Sequence, residues 1–286
     1  MNILIRILAI SPLALLHVLG WVLGWLVFLG SASYRKRFLA NVQQAALPWA
    51  HVRAAVGQSG MLVAELPRLW LGAPVPVHWQ AGELIEQALA QGQGIMFLTP
   101  HLGSFEVAAR SYAQRWGKEH QPITVLYRPA RQAWLQAIVK QARHRPGLQA
   151  APTTLAGVRQ LVRALRGGQA VGLLPDQVPP DGLGVWAPFF GRPAYTMTLP
   201  ARLAAIPGVA VLLVWCERLP WGRGYCAHVQ ALPAPLPTSP EAAAAQVNML
   251  MEQVVLQAPS QYLWGYARYK QPAAHAHVLM TTQETT

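Results

Sequence analysis

Residues Ile95 to Trp116 read IMFLTPHLGSFEVAARSYAQRW. The first five form a short apolar run of strand length that stops at Pro100, and a helical period resumes from Glu106, so the stretch predicts a buried strand, a tight turn at Gly103 and a helix. Upstream, GELIEQALAQGQG predicts an amphipathic helix closed by glycine. Downstream, PITVLYR and AVGLLP predict further strands, while RQAWLQAIVKQAR and TTLAGVRQLVRALRGG predict helices. GVAVLLVWC and GYCAHVQA predict an antiparallel pair joined by a hairpin turn. Strands alternating with helices imply a layered α/β domain with a largely parallel central sheet. In such sheets chemistry gathers where strand carboxyl ends meet helix N-termini, and His101 falls at such an end.

The chain has only 11 acidic residues among 286, so a carboxylate five positions after that histidine needs a reason. On one continuous helix His101 and Glu106 would stand roughly 140° apart and could not cooperate. A strand end, a turn at Gly103 and a helix starting near Ser104 bring them together. Ser104 then caps the helix and Glu106 falls in its first turn, where the dipole favours a carboxylate. A carboxylate on one imidazole nitrogen leaves the other free as a base, the logic of acyl transfer to a hydroxyl. The same pair also suits a structural contact, and the residues alone leave both readings open. Ser104 sits in no G-x-S-x-G elbow, which argues against a hydrolase nucleophile. No H-E-x-x-H or C-x-x-C spacing offers a metal site, and no Gly-rich phosphate loop offers a nucleotide cofactor, so neither metal nor cofactor is expected.

The formal charge is +12, and 19 of the 23 basic residues are arginine. That favours an anionic partner, such as a phosphorylated substrate or an anionic bilayer face, although a GC-rich genome produces the same bias. The aromatic spacing of an RNA-binding sheet and any zinc-finger pattern are missing, so no nucleic-acid partner is expected. Ile7 to Gly30 is 24 residues without a charge, long enough to cross or lie in a bilayer. The run exceeds a signal-peptide core and is followed by Arg35, Lys36 and Arg37, which the positive-inside tendency holds in the cytoplasm. Residues 1–33 are therefore expected to be an uncleaved N-terminal membrane-anchoring helix, 34–270 the catalytic domain, and 271–286 a C-terminal tail. Cys216 and Cys226, on either side of the predicted hairpin turn, are expected to be free thiols.

Several ordered blocks carry a family resemblance. GQGIMFLTPHLGSFE resembles the first block, H-x4-D/E after a strand, of the lipid A biosynthesis (lauroyl/myristoyl) acyltransferases of the lysophospholipid acyltransferase superfamily. YRKRFLANVQQAALP, YRP at Tyr127 to Pro129, GLLPDQ at Gly172 to Gln177, PFFGRPAYTMTLPARLA at Pro188 to Ala204 and PSQYLWGYARYK at Pro259 to Lys270 match further blocks. Ser104-Phe105 and Tyr266-Ala267 depart from the family's frequent Asn-Trp and His-Arg.

The resemblance implies an acyltransferase facing the cytoplasm from the bacterial inner membrane. His101, held by Glu106, would deprotonate a hydroxyl of a phosphorylated glycolipid acceptor, a lipid A precursor. The oxygen would attack a thioester of acyl-carrier protein, with backbone N–H groups of the Gly103–Phe105 turn at the oxyanion. Arg128, where the superfamily's second block has an arginine, is expected to bind substrate phosphate. Asp176 follows a strand as His101 does and is expected, with Gly103, among the substrate contacts. Arg143 would extend a basic cleft towards an acidic carrier protein or phosphosugar. Arg159, Arg163 and Arg166 are expected on a solvated helix face. The contrasting reading, from another class, is a catalytically inactive membrane-tethered lipid-binding or scaffold protein.

Overall fold

A computed structural model describes residues 3–117, 121–127 and 145–272. Arg128, Arg143 and the helix expected over 131–143 lie outside these residues, as does the tail beyond residue 272. Helices α1 (Ile3–Ile10), α2 (Leu13–Gly30), α3 (Ala32–Gln44), α4 (Trp49–Val52) and α5 (Ala54–Leu71) come first. Then follow β1 (Val77–Gln80), α6 (Glu83–Ala90), β2 (Gly94–Leu98), α7 (Phe105–Arg115), β3 (Ile123–Tyr127) and β4 (Leu148–Pro152). The remainder is α8 (Leu155–Arg166), β5 (Ala170–Leu173), β6 (Gly184–Phe189), β7 (Arg192–Met197), α9 (Leu199–Ala204), β8 (Val209–Arg218), β9 (Tyr225–Ala231) and α10 (Pro240–Gln257).

Seven strands form one sheet in the order β1-β9-β8-β2-β5-β3-β4. Every pairing in it is parallel except β8 with β9. The expected α/β layering with a largely parallel sheet is what forms. Residues of the central strand β2 alternate between two cores: Ile95 and Phe97 pack with Ile85, Val107 and Tyr112 on one face, Met96 and Leu98 with Leu161, Leu250 and Val254 on the other. Helices cover both faces, which is why the run IMFL is apolar without a break. The edge strand β4 and the separate β6–β7 hairpin escape a periodicity reading, because Pro152, Pro188 and Pro193 interrupt their patterns. Phe190 and Gly191 take positive φ at the tip of that hairpin, a turn with φ of 45° and 73°. Arg159, Arg163 and Arg166 all lie on the exposed face of α8.

The apolar N-terminal helix α2 runs antiparallel along α5. His17 meets Glu65, Gly20 meets Gly60 and Met61, and Gly24 meets Val56 and Gly57. Small residues at this seam let the two backbones touch: a Cβ on Gly60 would stand 2.0 Å from the Gly20 carbonyl oxygen and 2.5 Å from the Gly24 nitrogen. The far end is closed by Phe28, which packs edge-on against Phe38 at 5.5 Å. By length and composition α2 suffices to cross a bilayer.

Gly60→Val should lower stability by about 1–3 kcal/mol, the usual penalty for overpacking, with a lower melting temperature in detergent. Gly30→Ala, where a Cβ meets nothing within 4 Å, should stay within about 0.5 kcal/mol of wild type. Equal melting of the two variants would remove the glycine seam from the fold's requirements.

Candidate active site

Strands β2 and β5 are neighbours with Leu98 in register with Leu173. His101 and Asp176 each come three residues later, so both side chains arrive at the same carboxyl edge. Asp176 is 2% exposed and grips His101 twice: Oδ2 accepts the His101 backbone N–H at 2.9 Å, and Oδ1 lies 2.6 Å from Nδ1. A carboxylate only accepts, so the proton sits on Nδ1 and the lone pair on Nε2. The Gln177 side-chain amide donates to Nε2 at 2.9 Å, and the Phe105 ring packs against the imidazole at 4.8 Å. Burial raises the Asp176 pKa, but the His101 charge and its two hydrogen bonds outweigh it and hold the carboxyl below its ordinary value. Loop 176–178 is itself fastened, the Val178 N–H donating to the Tyr266 hydroxyl at 3.0 Å.

Glu106 stands in the first turn of α7, and its Oε2 accepts the Trp70 indole N–H at 3.2 Å. Asp176, read from sequence as a substrate contact, is thus the carboxylate on Nδ1 of the imidazole, the place that reading gave to Glu106. Gln177, on the other ring nitrogen, had no role assigned; its place directly after Asp176 in GLLPDQ was the available signal.

The turn that carries His101 is pinned from outside. Gly103 has φ of 59°, and a Cβ there would fall 2.0 Å from the Cys216 carbonyl oxygen, so only glycine fits. The Gly103 N–H donates to the Gln261 carbonyl at 3.0 Å, and the Ser104 N–H to the Cys216 carbonyl at 2.8 Å. These two N–H groups are spent on the protein's own carbonyls, which narrows the oxyanion expectation for the Gly103–Phe105 turn to the Phe105 N–H. The Gly103 carbonyl accepts from Arg218 Nη2 at 3.2 Å.

Arg218 belongs to a buried network. Its Nε and Nη2 donate to the Glu65 carboxylate at 2.9 and 2.7 Å, and Glu65 also meets His17 Nε2 at 3.0 Å and the Tyr225 hydroxyl at 2.9 Å. Burial opposes the charge on Glu65, but the Arg218 charge and the hydrogen bonds prevail and push its pKa down to about 2. Cys216 and Cys226 are free thiols, as expected. Among the described residues no group of three or more His, Cys, Asp or Glu could hold a metal ion.

An apolar pocket opens against the sheet, lined among others by Phe97, Ala108, Val125, Gly172, Leu173 and the Phe105 ring that packs on His101. An imidazole with its tautomer fixed, at a sheet's carboxyl edge and sharing Phe105 with an apolar pocket, can take up a proton in group-transfer chemistry. Residues 1–271 match the family described as bacterial lipid A biosynthesis acyltransferase, and the chain belongs to that family. It is similar to the lipid A biosynthesis palmitoleoyltransferase of Escherichia coli strain K12, 29% identical over 216 residues, 74% of this chain and 68% of that one. Similarity at the same identity and coverage extends to a lipid A biosynthesis acyltransferase of Shigella flexneri. The lipid A biosynthesis lauroyltransferase of E. coli K12 is 27% identical over 197 residues, 66% of this chain and 60% of its own.

A carboxyl with a depressed native pKa stabilises the fold above its unfolded value and loses that contribution as pH falls towards the native one. Stability should therefore drop between roughly pH 4.5 and 2, and Glu65→Gln should remove much of that slope while lowering stability at neutral pH. An unchanged acid slope in Glu65→Gln, followed by circular dichroism, would show that the network does not titrate as described.

Proposed function

We propose that this protein moves a fatty acyl chain from an acyl-carrier-protein thioester to a hydroxyl of a lipid A precursor, at the cytoplasmic face of the bacterial inner membrane. The observation that carries the reading is the Asp176–His101 pair with its Nε2 lone pair turned to the site. The acceptor hydroxyl displaces the Gln177 amide and gives its proton to Nε2. Its oxygen adds to the thioester carbonyl, the C–S bond then breaks, and the thiolate leaves with the proton from the imidazolium. Asp176 keeps the tautomer and offsets the charge that His101 gains in between. Glu106, held by Trp70, completes the H-x4-E pair in the first turn of α7 and acts at the acceptor's side. The apolar pocket lined by Phe97, Ala108 and Gly172 suits the acyl chain. Membership of the family and the names of the relatives support the acceptor class; the basic surplus of the chain suits an acidic carrier protein and a phosphorylated glycolipid.

Membrane attachment follows from the other face of α2. Leu15, Val18, Leu19, Val22 and Leu26 are exposed there, with Ile3, Ile7 and Ile10 of α1 beside them. Trp221, 87% exposed, stands next to the start of α2, since a Cβ on Gly222 would fall 2.3 Å from the Ala14 nitrogen. Arg35, Lys36 and Arg37 follow at its end. An apolar strip flanked by tryptophan and basic residues suits a lipid interface.

His101→Ala should abolish acyl transfer in the purified protein with folding retained, and Glu106→Ala should slow it by roughly 10²–10⁴-fold. Asp176→Asn should cost about as much, because an amide can stabilise the wrong tautomer. Near-normal transfer by His101→Ala would instead favour the scaffold reading, in which lipid binding persists without chemistry. Mass spectrometry of lipids from cells with and without the gene identifies the acylated product.

Leu19→Glu combined with Val22→Glu should shift the protein off vesicles of phosphatidylethanolamine and phosphatidylglycerol while transfer in detergent continues. Retention on those vesicles would place the attachment elsewhere.

A further inference from the structure

Glu106 has a basic neighbourhood that the acid–base chemistry does not use. Arg110 lies one turn further along α7, on the same face as Glu106. Its side chain is buried, at 7% exposure, yet among the described residues only Nη2 has a hydrogen-bond partner, the Gly72 carbonyl oxygen at 2.8 Å. Nε and Nη1 of Arg110 are buried with none among the described residues. Arg145 donates through Nη2 to the Trp70 carbonyl, and its Nε is likewise buried and unmatched. Arg68 donates through Nη1 to the Ala73 carbonyl. Three guanidiniums therefore converge on the end of α5, where Trp70 also donates to Glu106.

We propose that Arg68, Arg110 and Arg145 form a binding site for a phosphate group beside the catalytic turn. Capping the end of α5 accounts for one N–H of each arginine. It accounts for neither the remaining buried donors of Arg110 and Arg145 nor the crowding of three like charges, which is costly without an anion. Burial first, and then the neighbouring Arg145 and Arg68, push the Arg110 pKa down to about 10, so it still carries its charge at neutral pH. The segment 128–144 leading into Arg145 holds four basic residues and no acidic one, so its sequence offers no carboxylate to neutralise the cluster. Guanidiniums presenting planar N–H pairs from several directions suit the oxygens of a phosphate better than a single carboxylate does.

This inference rests on the acyl-transfer reading, within which two substrates supply that chemistry: the phosphopantetheine arm of the donor and the sugar phosphate of the acceptor. The full-length enzyme in detergent is melted with inorganic phosphate and with chloride at equal ionic strength. Phosphate is expected to raise the melting temperature of wild type and to do so far less for Arg110→Gln and Arg145→Gln. In kinetics, each variant should raise one KM by roughly ten- to hundredfold, the size of a lost charge-assisted hydrogen bond, with kcat the lesser effect. Acyl-phosphopantetheine against acyl-pantetheine, and acceptor with against without its sugar phosphate, identify the source: wild type discriminates within one pair and the variants do not. Should Arg110→Gln fail to fold, the half-buried Arg68 and Arg145 variants carry the same comparison. Equal phosphate response in wild type and variants, or unchanged KM in both pairs, would overturn the site and leave the three arginines as a strap on α5. Wild type that makes no acyl ester from the thioester would instead sink the acyl-transfer reading, whatever its response to phosphate.

Discussion

The buried pair of Arg218 and Glu65 ties together five parts of the chain that are distant in sequence. Glu65 comes from α5, Arg218 from the end of β8, Tyr225 from β9, His17 from α2 and the Gly103 carbonyl from the turn below His101. Taking two such charges out of water costs several kcal/mol per ion, and the return depends on filling every hydrogen-bonding position. Here Glu65 accepts from Arg218, His17 and Tyr225 together, and Arg218 reaches the Gly103 carbonyl in addition. An arrangement of that kind adds little net stability over an apolar core. Its effect is on specificity, because only one placement of α2, α5 and the turn satisfies all of it.

From that constraint the site follows. The turn at Gly103 is clamped by Arg218 from one side and by the carbonyls of Cys216 and Gln261 from the others. The closing segment around Gln261 to Arg268 thus has a positional task that its aromatic and basic composition conceals. Gln261 bridges both backbone groups of Arg218, and Arg268 is buried on the Tyr195 carbonyl and the Thr196 hydroxyl. With the turn fixed, the equal offset of His101 and Asp176 past two paired strands brings imidazole and carboxylate into contact without any adjustment. The seating of α2 is coupled to the same network through His17, so the helix with an exposed apolar face is also part of what holds the turn that carries His101.

In the proposed reading, acid–base chemistry belongs to His101 and Asp176 and anion binding to the arginine cluster. His101 and Asp176 occupy the carboxyl edge of β2 and β5, while Arg110 stands one helical turn along α7 towards the end of α5. Such a layout suits a substrate whose charged group and reacting group lie a short distance apart.

The sequence by itself determined the layered α/β fold, because short apolar runs such as IMFL alternate along the chain with amphipathic helical patterns. It also determined the place of His101, since a polar residue ending such a strand lies at the sheet's carboxyl edge. Gly103 was legible as the turn between strand and helix, while its positive φ and the close approach of the Cys216 carbonyl belong to the packed chain. Which carboxylate holds the imidazole was decided by tertiary structure alone. Glu106 is five residues from His101 and Asp176 is seventy-five, yet the pairing of β2 with β5 places Asp176 on Nδ1 while the helix start carries Glu106 to Trp70. Strand order in a parallel sheet is set by helices packing across its two faces, and no local pattern encodes it. The buried network of Glu65, Arg218 and His17 escaped the sequence for the same reason: its members are far apart along the chain, Arg218 stands directly after another carboxylate, Glu217, and only the packed chain brings Arg218 to Glu65.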